Sequence, residues 1–381
     1  MKNTFTETKT TSYGQGVKNS LGGVIAGIII FILSFVLLWF NEENCVRLIH
    51  KEDFINKNAI AVNSNMVNRS NDTKLIATNG SVYTDETLSD SMVTVGKALN
   101  LARTVEMYQW VEKQHTQKHR TSNGGLTETT TYSYEQKWDK TEHNSDKFKK
   151  TEYNNPKFTY KSKLISANSG TMGDFKLDKN QIAIIGNYQD IEKLEPVKDF
   201  KIIDSYYYKG HNYSSPEIGD IRISYKYVPS GADVSIIGQQ NWNNTIGEMT
   251  TRDDSVYLQY DGILSLKDML NRYNQSNTLL TFGVRFLGFI LMFIGLQMLV
   301  NPIIAIARFV PYLSEITEFI SSFLLLAIAL ILSLLTIAVA WLVYRPILAI
   351  SLLIVTGIII YYIRQYIKNK RSTRLIPDEP V

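Results

Sequence analysis

The sequence predicts a multipass membrane protein: four transmembrane helices plus a large α+β, mainly antiparallel-sheet, exterior or luminal domain. Three observations predict it. Four apolar stretches, 21–40, 279–300, 319–343 and 346–363, contain Arg285 as their only charge. Residues 41–278 are polar overall and alternate apolar with polar positions in several windows, which is the signature of strands. Lys and Arg gather on the two terminal flanks of the apolar stretches. The global composition, 44% hydrophobic and 20% charged over 381 residues, averages these regions together. A soluble enzyme is therefore excluded as the whole answer, as is a fully embedded transporter.

A bilayer core about 30 Å thick requires ~20 apolar residues in a helix. Segment 21–40 meets this and ends Trp39-Phe40-Asn41-Glu42, without a small-residue cleavage pattern. It reads as a retained signal anchor. Stretch 346–363 is short for a span but sufficient in a slightly thin bilayer. Four crossings put both termini on one side. Flank 1–20 carries Lys2, Lys9 and Lys18 against Glu7; tail 364–381 carries Arg364, Lys368, Lys370, Arg371 and Arg374 against Asp378 and Glu379. Positive-inside logic makes 1–20, the 301–318 loop and the tail cytoplasmic, and 41–278 exterior. The basic flanks suit an anionic lipid surface, so the bilayer is the expected partner and nucleic acid is not.

Arg285 lies near the start of the second stretch and is expected to snorkel to the headgroups. Gly23-x-x-x-Gly27 is a weak signal for close helix pairing. Tyr344 and Arg345 separate the third and fourth stretches, and Pro346 suits the first position of a helix. Arg345 is the candidate membrane-proximal docking residue, among headgroups or against the exterior domain.

Within 41–278, Ile221, Ile223, Tyr225 and Tyr227 alternate with Arg222, Ser224 and Lys226. Tyr132, Tyr134 and Trp138 alternate with Ser133, Glu135 and Lys137, and Val256, Leu258 and Tyr260 repeat the pattern. Residues 103–117 read as a strand with Val105, Met107 and Val111 on one face. Asn123-Gly124-Gly125 supplies a turn that joins it to 127–138 in a long hairpin. A short helix is expected at 187–195. A better one runs 265–277, with Leu266, Met269, Leu270 and Tyr273 on one face and Ser265-x-x-Asp268 as a capping box. Asn-rich 56–80 is expected to include loops.

The chemistry-bearing patterns are sparse. No phosphate loop, serine elbow or paired-histidine zinc motif occurs. His115 and His119 sit at a hairpin tip without an obvious third ligand. Glu217 and Asp220 flank Gly219 in a turn, where acids usually shape backbone. The single Cys45 excludes an intramolecular disulfide. Asn68, Asn71, Asn79, Asn212, Asn243 and Asn274 head glycosylation triplets that matter only in a secretory compartment. No catalytic residue, metal ligand or cofactor is expected.

Ordered segments across most of the chain resemble the LUMA, or transmembrane protein 43, family. They are Val105-Glu106-Met107-Tyr108-Gln109-Trp110-Val111-Glu112, Thr131-Tyr132-Ser133-Tyr134 with Trp138, Pro216 to Ser224, and Trp341-Leu342-Val343-Tyr344-Arg345-Pro346. Asn41-Glu42 after the first stretch adds to them. The resemblance implies four spans, a large luminal domain and self-association. In an animal-type nucleated cell it also implies the endoplasmic reticulum and inner nuclear membrane, with lamins or emerin-like proteins as partners. In a bacterium it implies the inner membrane and no nuclear partner.

The function expected is a non-enzymatic, homo-oligomeric membrane scaffold that organises the membrane or its protein complexes. The candidate interface is the hairpin face bearing Tyr108, Trp110, Tyr132, Tyr134 and Trp138, since Tyr and Trp supply large contact area at low rotamer cost. Core packing of the same rings is the competing reading. Functional alternatives are a channel or transporter component, a membrane-tethered hydrolase, or a ligand sensor coupled to the membrane through helix 265–277.

Overall fold

Alternating residues build two antiparallel sheets around one core in a computed structural model that describes residues 4–11, 13–120, 126–251, 254–307, 314–346, 354, 358 and 361. The first sheet runs, in order, Thr4–Thr11, Leu126–Asp139, Ala98–Arg120, Ile221–Pro229, Tyr206–Lys209, Lys201–Ile203. The second runs Phe175–Asp178, Ser169–Met172, Leu75–Tyr83, Ala232–Gln240, Ile246–Gly247, with Leu258–Asp261 also on the Ala232–Gln240 strand. Ile60–Ala61 adds a parallel pairing to Leu75–Tyr83. Val105, Met107, Ile221, Ile223 and Tyr225 from the first sheet share a buried core with Ile76, Val82, Val234 and Ile236 from the second. In Ile221–Pro229 of the first sheet the period-two pattern does what it predicts, burying alternate residues, whereas Leu75–Tyr83 and Ala232–Gln240 of the second sheet are buried over longer runs.

The predicted 103–117 strand is longer, Ala98–Arg120, and pairs with Leu126–Asp139 from Met107↔Asp139 to Arg120↔Leu126. The Asn123-Gly124-Gly125 turn lies outside the described residues. One expectation is corrected. Residues 187–195 are not helical: Gln189–Asp190 pairs with Lys226 and Tyr227 instead. Asn187 takes a φ of 62°, and Ile191 and Leu194 pack on the core from irregular chain, so their helix-like spacing serves tertiary burial. Within flank 1–20, Thr4–Thr11 is the edge strand of the first sheet, paired with Leu126–Ser133. Its threonines meet threonines across the ladder, Thr6 against Thr131 and Thr10 against Thr127, each hydroxyl pair at 3.5 Å. In a bilayer, this ladder and a crossing by 21–40 exclude one another, because the crossing separates residues 4–11 from the sheet.

Four helices complete the described chain: α1 (Tyr13–Asn58), α2 (Lys179–Ala183), α3 (Leu266–Ala307) and α4 (Ser314–Tyr344). The 265–277 helix is present and continues without a break into the second apolar stretch as α3. The Ser265 hydroxyl accepts the Asp268 amide at 3.2 Å, as its cap. Met269, Leu270 and Tyr273 are buried on one face. The chain forms a β-rich unit, 1–16 with 51–273, and a membrane unit, 17–50 with 274–381. In the β-rich unit, Ile55, Met269 and Leu270 cover the second face of the second sheet through Leu75, Ala77 and Ile237.

In the membrane unit, Leu38, Met292 and Ala329 form a buried centre flanked by Phe31, Phe35, Phe289 and Phe293. Glycine permits the close approach of α1 and α3. A Cβ on Gly27 would lie 2.8 Å from Met298 Cβ, and one on Gly295 would lie 2.8 Å from the Phe31 amide nitrogen. Of the Gly23-x-x-x-Gly27 pair, Gly27 makes this close approach within the chain, while a Cβ on Gly23 would meet only Met298 Cε, at 4.0 Å. Among the described residues, three helices, α1, α3 and α4, are long and apolar enough to cross a membrane. The expected fourth span, 346–363, lies almost wholly outside the described residues, as does the 364–381 tail.

Candidate functional site

Among the described residues of the membrane unit, one ion pair lies inside it, between Glu42 and Arg285. Leu38 and Glu42 sit four residues apart on α1, so both occupy the face turned to α3. Arg285 and Gly288 present the matching face of α3, where Gly288 leaves the space that Leu38 fills. Glu42 is fully buried. Arg285 grips it with two charge-assisted bonds: Nε donates to Oε1 and Nη2 to Oε2, both at 2.7 Å. From α4, Trp341 Nε1 donates to Oε2 at 2.7 Å. Asn41 Nδ2 donates to Oε1 at 3.2 Å and lies 3.4 Å from the Thr281 carbonyl oxygen. A single carboxylate therefore ties α1, α3 and α4 together.

This corrects the snorkelling expected of Arg285, which turns inward because a buried anion is available. Glu42 and Trp341 were missed as partners. The available signal was that Arg285 is the only charge inside the apolar stretches while Glu42 lies two residues past the first of them. Nearby, the Tyr344 hydroxyl donates to Glu43 at 3.1 Å, and Tyr344 packs edge-on to Trp39 at 5.7 Å. α4 ends at Tyr344. Arg345 docks back on its own unit, with Nη2 3.8 Å from Cys45 Sγ and its guanidinium 5.7 Å from the Trp341 ring centre.

The second candidate is the hairpin face. Registers Tyr108↔Trp138, Glu112↔Tyr134 and Gln114↔Tyr132 put Tyr108, Trp110, Tyr132, Tyr134 and Trp138 on one side of the ribbon. The structure brings all five together there. Segment 141–155 of the same chain straps across them. Tyr153 stacks on Tyr134 at 4.0 Å and meets Trp110 edge-on at 4.6 Å. Asn155 anchors the strap as a strand would, its Oδ1 accepting the Trp110 amide at 2.8 Å and its Nδ2 donating to the Trp110 carbonyl at 2.9 Å. Trp138 packs on Tyr108 and lies 4.7 Å beneath the Arg222 guanidinium, which also bonds Glu106 at 2.7 Å. Tyr132 lies near Phe5 and Lys149.

The strap is held by carboxylates. Glu112 Oε2 accepts from the Tyr134 hydroxyl and from the Lys149 amide, each at 2.6 Å. Burial pushes the Tyr134 hydroxyl pKa up, and the Glu112 anion pushes it further. Burial alone would raise the Asp139 carboxyl. Bonds from the Thr141 amide, His143 and Lys137 outweigh it and hold Asp139 well below the ordinary carboxylate range. Buried Gln109 completes the base of the strap, donating to the Thr141 carbonyl and accepting the His143 amide.

The remaining sequence candidates separate. Asp220 is buried and accepts from the Tyr208 hydroxyl at 2.5 Å and the Glu217 amide at 2.9 Å. It shapes the turn at Gly219, whose φ of +99° favours glycine. His115 and His119 are exposed on the distal hairpin. Among the described residues, no group of three His, Cys, Asp or Glu side chains is placed to hold a metal ion.

Apolar helices knotted by an internal ion pair, together with a large antiparallel β-rich domain, define an integral membrane protein. Its family follows from comparison with known proteins. The profile of the Transmembrane protein 43 family matches residues 107–346, and the chain belongs to that family. It is 29% identical to Transmembrane protein 43 of Mus musculus over 350 residues and 27% identical to that of Homo sapiens, with 87% of each chain covered in both cases. It is 25% identical to the Transmembrane protein 43 homolog of Drosophila melanogaster, covering 86% of this chain and 90% of the relative. No solved structure matches the chain.

Proposed function

We propose that the chain is a non-enzymatic, self-associating membrane protein that organises membrane structure or membrane protein complexes. The observation that carries this reading is how its carboxylates are engaged. Glu42 is tied to Arg285 and Trp341, Glu112 to Tyr134, Asp139 to His143 and Lys137, and Asp220 to Tyr208. Each of these acids holds structural elements together, which is the work of a scaffold. A general acid or base must instead present a free proton-transfer position to a substrate. In a nucleated cell the reading places the protein in the endoplasmic reticulum and inner nuclear membrane.

The reading takes 21–40 as a crossing, with 1–20 cytoplasmic. Burying a 20-residue apolar helix in lipid gains a few tenths of a kcal/mol or more at each Leu, Ile, Phe or Val. The edge ladder of Thr4–Thr11 is largely exposed, and exposed hydrogen bonds net about 1 kcal/mol or less each.

The experiment is the mass of the purified protein in mild detergent across a dilution series, beside a melting curve. Tyr132→Ala, on the less covered part of the aromatic face, should weaken association about tenfold. Trp110→Ala should chiefly lower the melting temperature, since Trp110 holds the strap. A monomer mass at every concentration overturns the self-association reading.

A further inference from the structure

Cys45, Leu48 and Ile49 of α1, Asn274 to Arg285 of α3 and the C-terminal end of α4 line a partly open cavity of about 230 Å³, built by residues of the membrane unit alone. Two arginines face it. Arg285 has committed its fork to Glu42. Arg345 has no ion pair among the described residues; its contacts are the Cys45 sulfur and the Trp341 ring. The same cavity is lined by Asn277, whose Nδ2 is buried without a hydrogen-bond partner. A buried amide donor left unmade costs about 1–3 kcal/mol, so such a donor marks a place where an acceptor belongs. Thr278 adds a hydroxyl to the wall. A guanidinium without a counter-ion, an unpaired amide and a hydroxyl ask for one ligand chemistry: the oxygens of a phosphate-type anion.

The depth of the cavity chooses the source. Trp39, Trp341 and Tyr344 lie at this end of the helices, and such rings collect at the membrane–water boundary. Phe282 forms part of the wall, and it stands 59% exposed beside Leu279 at 77% and Phe286 at 66%, an open apolar track along α3. A free phosphate uses only the donors. A phospholipid uses the donors with its headgroup and the track with its acyl chains.

We infer that Arg345, Asn277 and Thr278 form a binding site for the phosphate headgroup of an anionic phospholipid, in the leaflet at the Arg345 end of α4. Glu42 supports the site by neutralising Arg285, which leaves Arg345 as its operative cation.

The test uses the full chain in neutral detergent, with native mass spectrometry and a melting curve as readouts. The probes are phosphatidylglycerol, phosphatidylcholine and inorganic phosphate. The parent should retain phosphatidylglycerol over phosphatidylcholine and should melt higher with it. Arg345→Gln should reduce that retention about tenfold or more, and Asn277→Leu should reduce it while leaving the lipid-free melt near the parent's. Arg47→Gln, an exposed arginine bonded to Asn44 outside the cavity, should change neither. Equal retention of the two lipids by the parent overturns the site. So does undiminished phosphatidylglycerol retention by a folded Arg345→Gln protein. Inorganic phosphate that stabilises the parent as well as phosphatidylglycerol does, through Arg345, overturns the lipid assignment.

Discussion

Replacing Arg285 with Met tests whether the buried ion pair holds the membrane unit together. Met fills much of the same volume and removes both 2.7 Å bonds to Glu42. Glu42 is fully buried and would keep only Trp341 and Asn41 as donors. An uncompensated buried charge costs about 3–5 kcal/mol. Glu42→Gln should cost less, about 1–3 kcal/mol, because Arg285 keeps partial exposure and can turn toward water. The double variant Glu42→Leu with Arg285→Met removes both charges and should recover most of the loss, since an apolar pair of similar volume is often neutral or stabilising. The assay is reversible unfolding of the four proteins in bilayer discs, read as a double-mutant cycle. At ~1.4 kcal/mol per factor of ten, Arg285→Met alone should shift the folded-to-unfolded ratio more than a hundredfold. Additive losses, with the double variant the least stable, would refute the argument.

Three further outcomes follow from named contacts. Gly295→Ala should destabilise the membrane unit by about 1–3 kcal/mol, because its Cβ meets the Phe31 backbone, whereas Gly283→Ala has nothing within 4 Å and should be neutral or slightly stabilising by the same unfolding assay. Tyr153→Ala removes ring contacts to Tyr134 and Trp110, and should cost about 1–3 kcal/mol and open 141–155 to limited proteolysis. The depressed Asp139 carboxyl contributes stability that is present above the ordinary aspartate pKa and is lost as pH falls through its lower folded value. Asp139→Asn should therefore be less stable than the parent at neutral pH and should flatten the acid limb of a stability-against-pH curve.

The apolar stretches were legible because composition alone separates lipid from water, and the long hairpin because alternation over many residues outweighs local ambiguity. What escaped depends on partners distant in sequence. α1 continues to Asn58 beyond its apolar run, with Phe54 and Ile55 engaged in the core under the second sheet. Ile191 and Leu194 imitated a helical stripe, while backbone pairing at Gln189–Asp190 decided their conformation. The five aromatics were found as a set, but the strap was not. Asn155 pairing with the Trp110 backbone and Tyr153 stacking on Tyr134 leave no periodic trace in the sequence. Arg285 was visible as an anomaly, and its meaning came only with Glu42 and Trp341 beside it.

Membrane topology tests the account most directly, and the chain's single cysteine makes the measurement clean. In a Cys45→Ser background, single cysteines at exposed Thr8 and Thr94 are labelled with a membrane-impermeant maleimide in sealed vesicles of known orientation. A crossing by 21–40 predicts that Thr8→Cys reacts only from the cytoplasmic face and Thr94→Cys only from the opposite face. Reaction of both from one face would keep the Thr4–Thr11 ladder intact and contradict the crossing on which the account rests.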